Sequence, residues 1–188
     1  MIKQAVMTTA YHNLQEDIFM NEKVSALIND QINKELYSAY LYLDFANYYA
    51  AAGLDGFANW YTVQAQEERD HAMLLYQYLQ NNGEKVTFEA IAKPEWTPGD
   101  NMTPLKKGLE HEKYVTDLIH NIYAAANDVH DFRTMQVLDW FVKEQGEEEK
   151  NANDMVTKMD LFGTDAKGLY MLNNELLSRV YTAPSLVL

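Results

Sequence analysis

Glu68 and His71 stand three residues apart, a spacing that puts a carboxylate and an imidazole on one helix face, where both can grip one metal ion. Glu35 lies 33 residues before Glu68, and Glu112 lies 33 residues before Gln145. Glu35 to His71 spans 36 residues, as does Glu112 to Glu148. Sliding the chain by 77 residues superposes these positions; it also brings Lys34-Glu35-Leu36-Tyr37 onto His111-Glu112-Lys113-Tyr114 and Glu67 onto Glu144. Two helical hairpins related by a pseudo-twofold axis would each present one lone Glu and one i, i+3 pair. That is the di-metal carboxylate plan, with Gln145 and Glu148 standing where its second Glu and His would be.

Four amphipathic segments must position these groups. Apolar residues recur with helical period at Val24, Ile28, Ile32, Ala39, Tyr42 and Ala46, and again at Phe57, Tyr61, Ala72, Leu75 and Leu79. A third stripe runs Leu105, Leu109, Thr116, Ile119, Tyr123, and a fourth Val137, Phe141, Ala152, Met155, Met159. Glu35, Glu68 with His71, Glu112, and Gln145 with Glu148 interrupt these stripes near their midpoints. An ionised carboxylate buried alone costs several kcal/mol, so it is normally paired or metal-bound. Few Lys or Arg lie on the stripes to pair with them.

The boundaries carry their own chemistry. Asp55 is placed to cap the second helix, Asn82-Gly83 to end it, and Thr103-Pro104 to open the third. Asn127-Asp128 marks the corner before the fourth, and Gly163 its end. The twenty or so residues from Asn82 to Asn101, with Pro94 and Pro98, are long enough to run the bundle's length and make helices two and three parallel. The pattern predicts an all-α fold: a four-helix bundle over residues 20–162 with one long crossover, and a short fifth helix over 164–181. Residues 1–19 form an extension of unassigned structure, and the apolar tail 182–188 is expected to pack into a pore or against a neighbour.

The composition narrows the function. At 188 residues the chain suits one domain. Its net charge of −13 disfavours nucleic acid and anionic membrane and favours cations. With no cysteine, thiolate metal sites are excluded. The absence of a secretory h-region or a long apolar run points to a cytoplasmic protein.

Each feature alone has a plainer reading. A lone Glu-x-x-His is more often a solvated pair, and Glu147-Glu148-Glu149-Lys150 an exposed charge run. Tyr42 and Trp140 read as core aromatics, and His12, His120 and His130 as structural or surface residues. The conjunction of four stripes, one layer and a matched repeat favours metal.

Three stretches resemble the signatures of bacterial non-haem ferritins: Asn33 to Tyr42 (NKELYSAYLY), Ala65 to His71 (AQEERDH) and Glu144 to Lys150 (EQGEEEK). Gly168-Leu169-Tyr170 is similar to that family's fifth helix. The resemblance covers about residues 20 to 180 and implies a ferritin-like bundle. It implies that Glu35, Glu68 and His71 bind a first iron, that Glu68 bridges to a second held by Glu112 and Glu148, and that Gln145 lies alongside. A third iron site would comprise Glu67, Glu144, Glu147 and Glu148. Tyr42 and Trp140 match the aromatics beside the centre. The family oxidises Fe(II) with O2 or H2O2 and stores Fe(III) as mineral in a homo-oligomeric cage of twenty-four subunits. Arg69 stands where haem-binding relatives carry Met, so no haem is expected. Bacterioferritin-like and rubrerythrin-like di-iron oxidases or peroxidases are the alternatives; Gln145 and Glu148 argue against the first, and the missing cysteines against the second's rubredoxin-type site. A helical interaction module would require the same acids to be solvated.

Overall fold

The Asn21 side chain accepts hydrogen bonds from the backbone N–H groups of Lys23 and Val24, satisfying donors that a helix start leaves open. From this cap α1 runs Glu22–Ala51, followed by α2 (Asp55–Asn81), α3 (Thr103–Asp128), α4 (Phe132–Phe162) and α5 (Ala166–Leu176). These elements belong to a computed structural model that describes residues 20–188; the predicted extension Met1–Phe19, with His12, lies outside the described residues. Among the described residues there is no strand, and no helix is long and apolar enough to cross a membrane. The chain is an all-α four-helix bundle with a short C-terminal helix.

The crossover between α2 and α3 is tied to α1 along nearly its whole length. Ser25 donates to Glu84, Asn29 to the Thr87 carbonyl and Asn33 to the Glu89 carbonyl. Further along, Trp96 donates to Asp44, Tyr48 to the Gly99 carbonyl and Tyr49 to the Asn101 carbonyl. Contacts advance in step on both segments, so the crossover climbs the bundle beside α1 and delivers α3 parallel to α2. This is the arrangement the length of the segment predicts.

Several boundaries differ from the sequence expectation, each for a visible reason. Asp55 is the first residue of α2 and makes no cap bond; the open N–H groups of Gly56 and Phe57 instead meet Asn173 Oδ1 on α5, at 2.8 and 3.4 Å. Asp100, not Thr103, gathers the start of α3, accepting from the N–H groups of Met102 and Thr103. The α3–α4 corner falls one residue past Asp128, at Val129 and His130, where His130 takes a left-handed φ of 57°. Helix α5 stops at Leu176, short of Tyr181, because the Asn59 amide captures the Leu176 and Arg179 carbonyls at 3.1 and 3.0 Å. On α3 the buried stripe is turned by one residue from the predicted one, with Gly108, Val115 and Ile122 inside in place of Leu109, Thr116 and Tyr123. Gly108 allows this, since a Cβ there would sit 3.0 Å from the Tyr61 hydroxyl.

Two apolar clusters fill the bundle. One gathers Val24, Ile28, Ile32, Leu75, Leu79, Ile119 and Phe141; the other Tyr42, Phe45, Tyr49, Phe57, Tyr61, Met155 and Leu172. Between them lie the buried polar residues Gln31, Glu35, Gln64, Glu68, His71, Glu112, Gln145 and Glu148. The apolar tail does not project away from the subunit: Leu186 and Leu188 pack on the first cluster, beside Tyr78 and Val137.

A Cβ on Gly56 would land on the Asn173 carbonyl, so α2 and α5 meet backbone to backbone at that point. Gly56→Ala is expected to lower stability by about 1–3 kcal/mol through overpacking, and Asn173→Ala by about 1 kcal/mol through the lost cap. Thermal unfolding of both variants checks this, and an unchanged melting temperature for Gly56→Ala would contradict the contact.

Candidate metal centre

Helix α1 supplies Glu35 and helix α2 supplies Glu68 and His71, all buried, and each offers a ligand atom within 4.8 Å of the other two. His71 Nδ1 lies 3.5 Å from a Glu68 oxygen. One turn before Glu35, Gln31 donates its amide to Glu35 Oε1 at 2.8 Å. The other oxygen, Glu35 Oε2, is the one buried side-chain N or O atom without a hydrogen-bond partner among the described residues. Leaving such a group unsatisfied costs about 1–3 kcal/mol. A cation held with Glu68 and His71 would satisfy it.

Helices α3 and α4 complete the layer. Tyr42 donates its hydroxyl to Glu112 Oε1, and the Gln145 amide lies 3.3 Å from Glu112 Oε2. The Gln64 amide reaches Glu148 at 2.7 Å and Glu68 at 3.1 Å, joining α4 to α2. A cavity of about 20 Å³, large enough for a water, opens beside Glu112 and Glu148 and is lined also by Tyr42, Gln64 and Trp60.

The other predicted residues are placed differently. Trp140 packs its ring edge-on near His71, centroids 5.5 Å apart, while its indole N–H donates to Ser185; it backs the imidazole and leaves the layer to the carboxylates. Glu67, Glu144 and Glu147 lie near enough that the charge of Glu144 raises the Glu67 carboxyl and the charge of Glu147 raises that of Glu144. Glu67 is paired with Arg179, Glu144 is half-buried, and Glu147 is exposed beside Lys143 at 3.4 Å. Arg69 is exposed and meets Asp70 at 3.2 Å.

Four residues that hold the layer carry little signal in the sequence. Gln31 and Gln64 each stand four residues before a predicted ligand and therefore on the same face; Gln64 falls on the second stripe itself, whereas Gln31 could have been found only from this spacing. His111 looks like part of a charge run, yet it is partly buried among Tyr37, Tyr42 and Tyr114, with Nε2 2.7 Å from Ser38 Oγ. Arg179 arrives from beyond α5 and has no local signature.

The electrostatics follow from crowding. Burial, then the charge of Glu68, lifts Glu35 and Glu148 each to about 8. Glu112 is pushed well above the carboxylate range by burial and by Glu68 and Glu148. Burial alone would raise Glu68 and lower His71. Their mutual hydrogen bond and charge override it, holding Glu68 below its ordinary value and lifting His71 to about 10. Free of metal near neutral pH, the layer rests as one ion pair, Glu68 with His71, among protonated acids. Four ionised carboxylates with a neutral imidazole would balance two divalent cations.

A helical bundle organised around one buried layer of carboxylates and histidine defines a class of protein, and comparison with known proteins gives the family. Residues 25–162 match the family model described as a ferritin-like domain. The bacterial non-heme ferritin of Staphylococcus epidermidis is 32% identical over 162 residues, covering 86% of this chain and 98% of the relative. That of Staphylococcus haemolyticus is 34% identical over 154 residues, covering 82% and 93%. Among solved structures, an open pore ferritin from the archaeon Archaeoglobus fulgidus superposes with a TM-score of 0.83 at 40% identity, covering 86% of this chain and 99% of that one. The chain belongs to the ferritin family.

The pKa shifts set a pH dependence for the metal-free protein. Between 4.5 and about 8 the folded chain keeps protons on Glu35 and Glu148 that the unfolded chain releases, so stability falls as pH rises across that window. His71 acts in the same direction between 6.5 and about 10, since its contribution is complete below 6.5 and lost as pH passes the folded value. Divalent cations bind only once those protons leave, so their stabilisation should grow with pH. Melting temperatures measured at about pH 5, 7 and 9, with and without Zn(II), are expected to fall with pH without metal and to diverge upward with it. A metal-free melting temperature that climbs with pH would contradict this electrostatic picture.

Proposed function

We propose that this chain is a ferroxidase subunit of an iron-storage assembly, with Fe(II) as substrate. Glu35, Glu68 and His71 hold one iron, and Glu68, Glu112 and Glu148 a second, with Gln145 beside it. The orphaned Glu35 Oε2, buried within reach of Glu68 and His71, is the observation that carries this reading. Hard carboxylate oxygens with one imidazole suit iron in either oxidation state. Each of two Fe(II) ions gives one electron to the oxidant. With two protons taken up, O2 becomes H2O2, or H2O2 becomes two waters.

The surrounding residues divide the remaining tasks. Tyr42 orients Glu112 through its hydroxyl, and burial with the charge of Glu112 keeps its phenol protonated far above neutral pH. Gln31 and Gln64 fix one oxygen each of Glu35 and Glu148, leaving the others for metal. Trp140 backs His71. The two tight apolar clusters on either side exclude bulk water from the layer. The ferric product moves off to mineralise inside a hollow homo-oligomer, for which the family resemblance implies twenty-four subunits, and the negative charge of the chain draws Fe(II) toward it.

Replacing Glu68 and His71 together by Ala removes the ion pair and two of the three clustered ligands. The initial rate of Fe(II) oxidation, followed by ferric absorbance, is expected to fall by about 100-fold or more. Circular dichroism should show the helices retained. Oxidation at the wild-type rate would overturn the assignment.

A further inference from the structure

The family resemblance places a third iron among Glu67, Glu144 and Glu147, but in this chain a guanidinium is already there. Arg179, nine residues before Leu188, pairs with Glu67 and is mostly buried in doing so. Its guanidinium lies 4.0 Å from the centroid of the Trp60 ring, and its Nη1 donates to the Trp60 carbonyl at 3.2 Å. The Asn59 amide holds the Arg179 carbonyl at 3.0 Å. Trp60, on which the guanidinium rests, also lines the cavity beside Glu112 and Glu148.

The chain on either side of Arg179 is built to keep it in place. Before it, α5 is anchored by Asn173 at the start of α2. After it, Tyr181 donates to Asp70, Ser185 accepts from Trp140, and Leu186 and Leu188 pack against the bundle. The segment from Arg179 to Leu188 is thus a strap along α2 and α4, crossing the face that carries Glu67 and Glu144. An arginine so tethered supplies a positive charge to Glu67 without the conformational entropy loss of an untethered partner.

We propose that Arg179 is a resident counter-cation that takes the place of the third metal, so that this ferritin binds two irons per chain where Glu67, Glu144 and Glu147 would otherwise hold another. The inference rests on the di-iron reading above. Arg179 is a specificity-determining residue here: it sets how many metals load. With the guanidinium removed, Glu67 faces Glu144 unopposed, and a divalent cation becomes the available partner.

Anaerobic titration with Fe(II), and in parallel with redox-silent Zn(II), counts the ions bound per chain in the intact protein. Wild type is expected to bind about two and Arg179→Gln about three, with Arg179→Lys returning to two because it restores the charge. Arg179→Ala serves as a second neutral variant should the glutamine one fold poorly. Three ions on wild type, or two on both neutral variants, would overturn the proposal; two on both with a lowered melting temperature would make the pair structural only. No ions on wild type or variants would overturn the di-iron reading, and this proposal with it.

Discussion

Four glutamates buried in one layer repel each other, and every other feature of the bundle answers to that repulsion. The layer splits the apolar core into two clusters, and the tyrosines, leucines and methionines above and below it supply the burial that keeps the helices together despite it. The metal-free protein relieves the repulsion by protonating Glu35, Glu112 and Glu148 and confining charge to Glu68 and His71. Bound cations would relieve it the other way. Both solutions use the same geometry, which explains why the amides of Gln31, Gln64 and Gln145 hold the carboxylates in place without supplying positive charge.

Holding such a layer requires rigid elements whose register cannot slip. The crossover meets this need by hydrogen-bonding to α1 from Ser25 to Tyr49, which fixes where α3 begins and so the height at which Glu112 enters. Helix α5 meets it at the end where α2 and α3 begin, closing on Gly56 and capping α2 with a side chain from a different helix. That cap leaves the height of Glu68 and His71 dependent on residues more than a hundred positions away.

What could be read from the sequence was what repeats locally. The helical stripes, the carboxylates that interrupt them and the crossover all follow from periodicity and spacing, because a helix presents residues three and four apart on one face whatever surrounds it. The 77-residue shift shows that Glu112, Gln145 and Glu148 share the layer of Glu35, Glu68 and His71, although Glu112 taken alone resembles a surface charge. The rest was not local. Asp55 has the composition of a cap, but Asn173 performs the task from across the bundle. The stripe on α3 turned by one residue because Gly108 admits the Tyr61 hydroxyl, a contact between helices that no single segment contains. The burial of His111 and the arrival of Arg179 at Glu67 likewise arise only when distant segments meet.

The division of the buried acids between the two hairpins has a consequence for assembly. Glu35, Glu68 and His71 all come from α1 and α2, which one tight turn at Gly53 brings together, so that half of the centre is closed by contacts of short loop length. Glu112, Gln145 and Glu148 come from the other hairpin, which the long crossover joins to the first. Docking the hairpins therefore costs either the charge repulsion of the two sets or the protonation of Glu35, Glu112 and Glu148 that relieves it, and bound cations would lower that cost. Cations held between the two sets would accordingly favour the docked bundle over its separate hairpins.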